Sequence, residues 1–152
     1  MQQSEPNTGQ RQWWMGVLAR ASRSDVEARL GALGPLPAYQ CIKGPETGTV
    51  MLEGRAGGTG RRFNAGEATV TRAVVRLEAG AMGFAYALGT DHRKAEITAV
   101  LDALLQQPDR HQAVMTALVA PLAALQADRK DLAARKAAAT KVDFFTLVRG
   151  DG

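Results

Sequence analysis

The first part of the chain carries apolar residues at the spacing of an α-helix. The residues around Trp13 and Trp14 predict a helix over residues 11–20. A capping-box pattern over residues 24–27, Ser-Asp-Val-Glu, predicts a second helix that ends at Gly34 and the prolines after it. Two adjacent tryptophans cannot both face one core on a short helix, so one of them is expected to contact a partner or a second element. The polar residues 1–10 are predicted to form a disordered leader.

The pattern changes to a period of two after residue 38, and four β-strands are predicted. They span residues 39–43, 49–55, 68–77 and 82–88. A turn over residues 44–48, Gly-Pro-Glu-Thr-Gly, separates the first two strands. Because all the connections are short, the strands are predicted to form an antiparallel meander, since parallel pairing requires crossovers of about a dozen residues.

Strand alternation in residues 68–77 assigns the side chains to two faces. Arg72 and Arg76 fall on the same face, which they share with Val70 and Val74. A solvated face rarely needs those valines. A face that docks on a partner, or that covers a ligand groove, would use both residue types.

Helical spacing returns after residue 90. The strongest signal is the apolar stripe of residues 97–105, which follows a cap at Asp91. Pro108 begins another helix, and Pro121 predicts a break or kink before a helix that runs to about Ala139. The charged run 128–136 is expected to be a solvated face. We therefore predict a single α+β domain over residues 11–150, with a four-stranded antiparallel sheet between an N-terminal helical pair and C-terminal helices.

Positive charge is concentrated between residues 55 and 76. This window holds five arginines and one acid, so the formal net charge of +4 lies entirely within it. Guanidinium groups beside a glycine-rich backbone suit phosphate oxygens or an acidic partner. A flexible hairpin tip with solvated charges is the alternative that composition leaves open. The candidate contact residues are Arg55, Gly57, Gly58, Thr59, Gly60, Arg61, Arg62, Arg72 and Arg76.

The composition is that of one globular domain with a core of small side chains. Hydrophobic residues make up 45% of the 152-residue chain, much of it alanine, and aromatic residues only 5%. Such a core buries little area per residue, so stabilisation by a partner is expected. The apolar tail is predicted to dock on its own domain or on a neighbour, and its candidate residues are Phe144, Phe145, Leu147 and Val148.

We predict no catalytic and no metal-ligating residue. The segment 57–60 lacks the lysine and the following helix of a nucleotide-binding P-loop. His92 and His111 are far apart in sequence and are expected to be surface residues, and Cys41 is predicted to be a buried strand residue. A single cysteine, no apolar run long enough for a membrane span and no secretory signal favour a cytoplasmic protein.

Several motifs resemble those of the G subunit of the bacterial carbon–phosphorus lyase core complex, PhnG. The glycine–arginine run and the tail together are specific, whereas a tryptophan motif alone would not be. The motifs are Arg11-Gln-x-Trp14-Met, Glu46-Thr-Gly48, Gly57-Gly-Thr-Gly60 through Phe63, Gly66-Glu-Ala-Thr69-x-Thr-Arg72, Val75-Arg-Leu77, Val142-Asp-Phe-Phe-Thr146 and Val148-Arg-Gly-Asp151.

The resemblance implies a non-catalytic subunit of a phosphonate-degrading complex, with the H, I, J and ATP-binding L subunits as partners. In that family G, H and I act with L to displace adenine from MgATP by an alkylphosphonate, giving alpha-D-ribose 1-methylphosphonate 5-triphosphate. The I subunit is regarded as the nucleosidase. The J subunit later cleaves the C–P bond with S-adenosylmethionine and an iron–sulfur cluster. No cofactor and no catalytic residue are implied for this chain, and the isolated chain is expected to self-associate.

A small nucleic-acid-binding module is the alternative from a different class. The isoelectric point near 9.6 and the clustered arginines favour it. Against it, the basic window offers only Phe63 for base stacking, whereas single-strand binders align several aromatic residues. An independent enzyme is the least favoured reading, because no set of residues forms a recognisable reaction centre.

Overall fold

The structure, a computed structural model, describes residues 8–55 and 60–149, and for residues 140–149 it describes the backbone alone. Along the chain, three strands stand between two groups of helices, and the fold is a single α+β domain as predicted. The elements are α1 (Thr8–Arg20), α2 (Arg23–Leu30), a 3-10 turn (Gly31–Leu33), β1 (Tyr39–Arg55), β2 (Arg62–Leu77), β3 (Met82–Leu88), α3 (His92–Leu105), α4 (Pro108–Val114), a π-helical segment (Met115–Val119) and α5 (Ala120–Arg149).

Within the described residues the sheet has three antiparallel strands in the order β1-β2-β3, so the predicted count of four is wrong. The first two predicted strands, residues 39–43 and 49–55, are one strand, whereas the predicted strand 82–88 is confirmed as β3. The segment predicted to be a turn, residues 44–48, continues β1 as a bulged strand. Its pairing with β2 shifts register between Cys41 and Lys43 and again between Lys43 and Glu46. Bulges accommodate extra residues without ending a strand. Pro45 has no backbone N–H, and it is tolerated there because β1 is an edge strand, in which not every residue has to donate to a neighbouring strand.

Helix α3 covers one face of the sheet and forms the core with it. The predicted apolar stripe is confirmed, since Ile97, Leu101 and Leu104 are all buried. The helix approaches β3 very closely at Gly83, where a Cβ atom would lie 1.9 Å from the carbonyl oxygen of Ala99. Only glycine fits at that position, and the other two buried residues of β3, Ala85 and Ala87, are small as well.

The two N-terminal helices differ in detail from the predicted pair. Helix α1 begins at Thr8, within the predicted leader, and packs against β3 and α3. The N-cap of α2 is Ser22, whose hydroxyl accepts a hydrogen bond of 3.1 Å from the amide of Asp25. The predicted cap, Ser24, therefore lies inside the first turn. Helix α2 contacts α3 and the π-helical segment. The two N-terminal helices therefore pack mainly on other elements and not on each other.

A break or kink was predicted at Pro121. The chain stays helical from Pro108 to Arg149, so there is no break, and the irregularity at this point is the π-helical segment. The π-helical segment ends just before Pro121. Proline has no N–H to donate to the preceding turn, so the irregular hydrogen bonding of the wider π-helical turn coincides with this missing donor. The charged residues 128–136 are exposed, as expected. No helix within the described ranges has the length and hydropathy that crossing a membrane requires.

Candidate partner and anion-binding surfaces

The basic window divides into two separate groups in the structure. Arg55, Gly60, Arg61 and Arg62 lie at the tip of the β1–β2 hairpin, and Arg72 lies within the sheet with Arg76. Ten residues of β-strand separate Arg62 from Arg72, which corresponds to about 33 Å. The five arginines of this window therefore belong to two separate surfaces. Gly57, Gly58 and Thr59 lie outside the described residues.

The hairpin tip belongs to a two-stranded ribbon that extends beyond the sheet. Strand β3 pairs only with Val70–Arg76, so residues 49–55 and 62–69 have no third strand beside them. The Phe63 ring covers Gly54 across the ribbon, where an added Cβ would lie 2.9 Å from the ring. Met51 is 64% exposed and Leu52 49% exposed. A two-stranded ribbon is marginally stable alone in water, so this one is suited to packing against a partner.

The arginines of the tip are exposed. Arg62 Nη1 lies 3.6 Å from Glu53 Oε2, and both side chains are about two-thirds exposed. Arg55 and Arg61 form no ion pair with any part of the chain that the structure describes. The guanidinium groups of Arg55 and Arg61 are thus available to an external anion or carboxylate.

The second group lies on the face of the sheet opposite α3, which we term the open face. Arg72 and Arg76 are both exposed there and Val74 lies between them, so the assignment by strand alternation is confirmed. Their cross-strand partners are Tyr86 and Met82. The apolar side chains exposed on the β3 part of this face are Met82, Phe84, Tyr86 and Leu88.

A groove of about 220 Å³ crosses the open face. The Arg72 guanidinium lies 5.7 Å from the centre of the Tyr86 ring, within the range of a cation–π contact. None of the described carboxylates forms an ion pair with Arg72, Arg76 or Lys43. The groove therefore combines aromatic walls with cations that form no ion pair within the described part of the chain. The side chains lining it include Lys43, Glu46, Arg72, Val74, Phe84 and Tyr86.

Sequence reasoning missed Asp102, a fully buried carboxylate that joins three elements. It accepts hydrogen bonds from Arg11 Nη2 at 2.9 Å, Trp14 Nε1 at 2.8 Å and the Phe84 amide at 2.9 Å. The hydrogen bond to this carboxylate raises the pKa of Arg11 above its ordinary value. One signal was available, because Asp102 is the only acid within the apolar stripe of α3. Asp102 positions the rim of the open face, since Phe84 belongs to it.

The histidines and the cysteine form no reaction centre with one another. His92 Nε2 lies 2.8 Å from the Thr47 hydroxyl, and His111 Nδ1 lies 2.7 Å from the Leu105 carbonyl oxygen. Cys41 is exposed, so its predicted burial is wrong: it lies on edge strand β1, beside a bulge. Within the ranges described, no three His, Cys, Asp or Glu side chains converge to hold a metal ion.

The sequence-predicted docking tail lies at the end of α5. Its backbone is helical through Arg149, although the helix was predicted to end near Ala139. The structure does not describe the side chains of the four tail residues, Phe144, Phe145, Leu147 and Val148. Docking of this tail stays a prediction.

Tryptophan packing agrees with the sequence pattern of α1. Trp14 is fully buried, and its ring centre lies 5.5 Å from that of His111. Trp13 is 47% exposed. The expectation that the two neighbours cannot share one core is confirmed.

Comparison with known proteins relates almost the whole chain to one family. Residues 9–150 match the family model described as phosphonate metabolism protein PhnG. The chain is also 42% identical, over 147 residues, to the alpha-D-ribose 1-methylphosphonate 5-triphosphate synthase subunit PhnG of Rhizobium meliloti (strain 1021). That alignment covers 97% of this chain and 94% of the relative. The resemblance found in the sequence motifs is thereby confirmed.

Proposed function

Because the chain belongs to the PhnG family of phosphonate metabolism proteins, we propose that it is a subunit of an alpha-D-ribose 1-methylphosphonate 5-triphosphate synthase complex. The observation that carries this proposal is the nearly full-length match to a subunit of that synthase. The match covers 97% of this chain and 94% of that subunit, so it relates the two chains along nearly their full length and not through one shared module. The nucleic-acid alternative has no support in this match.

The exposed surfaces support a role within an assembly. The ribbon and the open face both present large apolar side chains, including Met51, Phe63 and Tyr86. Exposed apolar patches of this kind mark interaction sites in soluble proteins. The partners we propose are the H, I, J and L subunits of the carbon–phosphorus lyase system. In this proposal MgATP, S-adenosylmethionine and the iron–sulfur cluster are bound by those partners.

The tip of the ribbon carries exposed arginines that suit an anionic ligand or an acidic partner. Arg61 and Arg62 are exposed and lie next to each other at the start of β2. A nucleoside triphosphate, a phosphonate or an acidic partner surface each offers oxygens that a guanidinium group binds through charge-assisted hydrogen bonds. We propose that the tip arginines bind one of these three anionic groups. The chain supports adenine displacement from MgATP by an alkylphosphonate and does not itself carry out the reaction.

The test is adenine release from MgATP by the I subunit with its other partners and an alkylphosphonate, measured with and without this chain. We expect the chain to redirect attack from water to phosphonate, so that ribose 1-phosphonate 5-triphosphate replaces the hydrolysis product. The chain alone should release no adenine. An identical product spectrum in both reactions would show that the proposed role is wrong.

A further inference from the structure

Strand β3 places its small residues inside and its large residues outside. Gly83, Ala85 and Ala87 are buried against α3. The alternate positions on the open face hold Met82, Phe84, Tyr86 and Leu88, which are 38–55% exposed. Small side chains are required under α3 because the helix backbone approaches the strand so closely at Gly83. The large side chains therefore contribute little to the chain's own core.

An antiparallel sheet with one covered face normally presents polar side chains on the other. Here the open face continues across β2 through Val74, and Ile42 of β1 is also 46% exposed. We propose that the open face is a docking site for an amphipathic helix from another subunit, apolar along one side and flanked by Asp or Glu. This inference rests on the proposed function, because it requires that the chain work within an assembly.

The dimensions of the face match one helix. Three strands about 4.8 Å apart, paired over Val70–Arg76, give a surface of about 14 by 23 Å. A helix is about 10 Å wide and rises 1.5 Å per residue, so about 15 residues would span the face. Helix α3, with 14 residues, already covers the opposite face in this way. The docked helix would complete a three-layer arrangement with the sheet in the middle.

The charge of the face selects an acidic occupant. Lys43 and Arg72 line the groove, and Arg76 is exposed on the same face of β2. Glu46 is the one acid among the lining residues. A second copy docked face to face would oppose these cations with the same cations, which costs free energy. Residues 141–149 of the chain's own tail carry Lys141 and Arg149 against Asp143, so they do not complement the face either. A different polypeptide with carboxylates beside an apolar stripe does.

The experiment replaces Tyr86 by the photo-crosslinker p-benzoylphenylalanine within the complete co-expressed complex. The replacement is aromatic and Tyr86 is 53% exposed, so the fold is retained. We expect irradiation to link the crosslinker at position 86 to a helical peptide of a different subunit, identified by mass spectrometry. That peptide should have an apolar stripe flanked by Asp or Glu. A link to a second copy of this chain, a link to a basic segment, or no link in an assembled complex would overturn the inference.

Charge reversal tests the same surface by binding. The Arg72→Glu, Arg76→Glu double variant should weaken capture of the tagged chain's partners at least about tenfold, because two like-charge contacts replace two favourable ones. The matched control is Lys130→Glu on the exposed part of α5, which should leave capture unchanged. Thermal melts of each purified variant separate loss of binding from loss of fold.

The outcomes distinguish this inference from the proposed function. If the wild-type chain forms no complex, the proposed function fails. If it forms one and the double variant forms it equally well, only the docking site fails. A fluorescently labelled single-stranded oligonucleotide, titrated at two salt concentrations, covers the other class of partner. Tight, salt-sensitive binding that Arg72→Glu abolishes would assign the open face to nucleic acid and overturn the docking of a helix.

Discussion

The indole N–H of Trp14 donates a hydrogen bond of 2.8 Å to the carboxylate of Asp102, which lies 88 residues further along the chain. Arg11, one helical turn earlier on α1, forms an ion pair of 2.9 Å with the same carboxylate. The motif Arg11-Gln-x-Trp14-Met therefore has a structural role, because its Arg11 and Trp14 fix α1 to α3. The Phe84 amide, held by the same group, connects this junction to the open face.

Replacing Asp102 by Asn should destabilise the protein by about 3 kcal/mol, because an amide offers one oxygen to several donors and leaves the Arg11 charge unpaired. Urea unfolding followed by circular dichroism measures the change. The control is Glu67→Gln, an exposed acid on β2 that should have almost no effect. A loss below about 1 kcal/mol for Asp102→Asn would show that the junction contributes little.

Adding one methyl group at Gly83 should cost at least about 3 kcal/mol, since it would collide with the backbone of α3 at Ala99. Gly48→Ala is the matched control. It too lies in a strand, but nothing lies within 4 Å of its added Cβ, so its effect should stay within about 0.5 kcal/mol. Equal unfolding midpoints for the two variants would contradict the close packing of α3 on β3.

Lys94 should make the stability rise with pH in the alkaline range. Burial lowers the pKa of this lysine, although Asp91 partly opposes the shift, and its ammonium group donates to the Ala19 carbonyl at 2.9 Å. The unfolded chain, with a lysine pKa near 10.4, retains the proton at pH values where the folded chain has released it. The free energy of unfolding therefore rises with pH as the pH approaches about 10.

The measurement for Lys94 compares the wild type with Lys94→Met in urea unfolding at several pH values from 7 to about 10. The difference between the two proteins removes the contributions of all other titrating groups that the substitution leaves undisturbed. We expect the wild type to gain stability relative to the variant with increasing pH. A constant difference over this range would mean that the Lys94 pKa is the same in the folded and unfolded states.

The double variant Arg61→Ala, Arg62→Ala should weaken complex assembly or triphosphate-product formation, because each charge-assisted contact supplies about 1.5–3 kcal/mol. The fold should be unaffected, since the exposed pair of Arg62 with Glu53 contributes less than about 1 kcal/mol. Arg135→Ala, Lys136→Ala removes the same charge from exposed α5 and serves as the control. If the Arg61→Ala, Arg62→Ala variant assembled and turned over like the wild type, the tip arginines would be shown to contact only solvent.

The sequence by itself determined the features that depend on local periodicity. The apolar stripe of α3, its cap at Asp91 and the alternation that puts Arg72 and Arg76 on one face were all correct. Each follows from spacing along a single element, where 3.6 or two residues per repeat fix which side chains share a side. The family was also recognisable, because the glycine–arginine run and the tail form a specific set of motifs.

The tertiary structure alone decided which face of each element is covered and which distant residues meet. Alternation in β3 separates large from small side chains, but only the approach of α3 at Gly83 shows that the small side is the inner one. The meeting of Asp102 with Trp14 likewise depends on neighbours far away in sequence. A repeat along one element does not encode what packs against it, and that packing leaves the largest side chains of β3 facing outward.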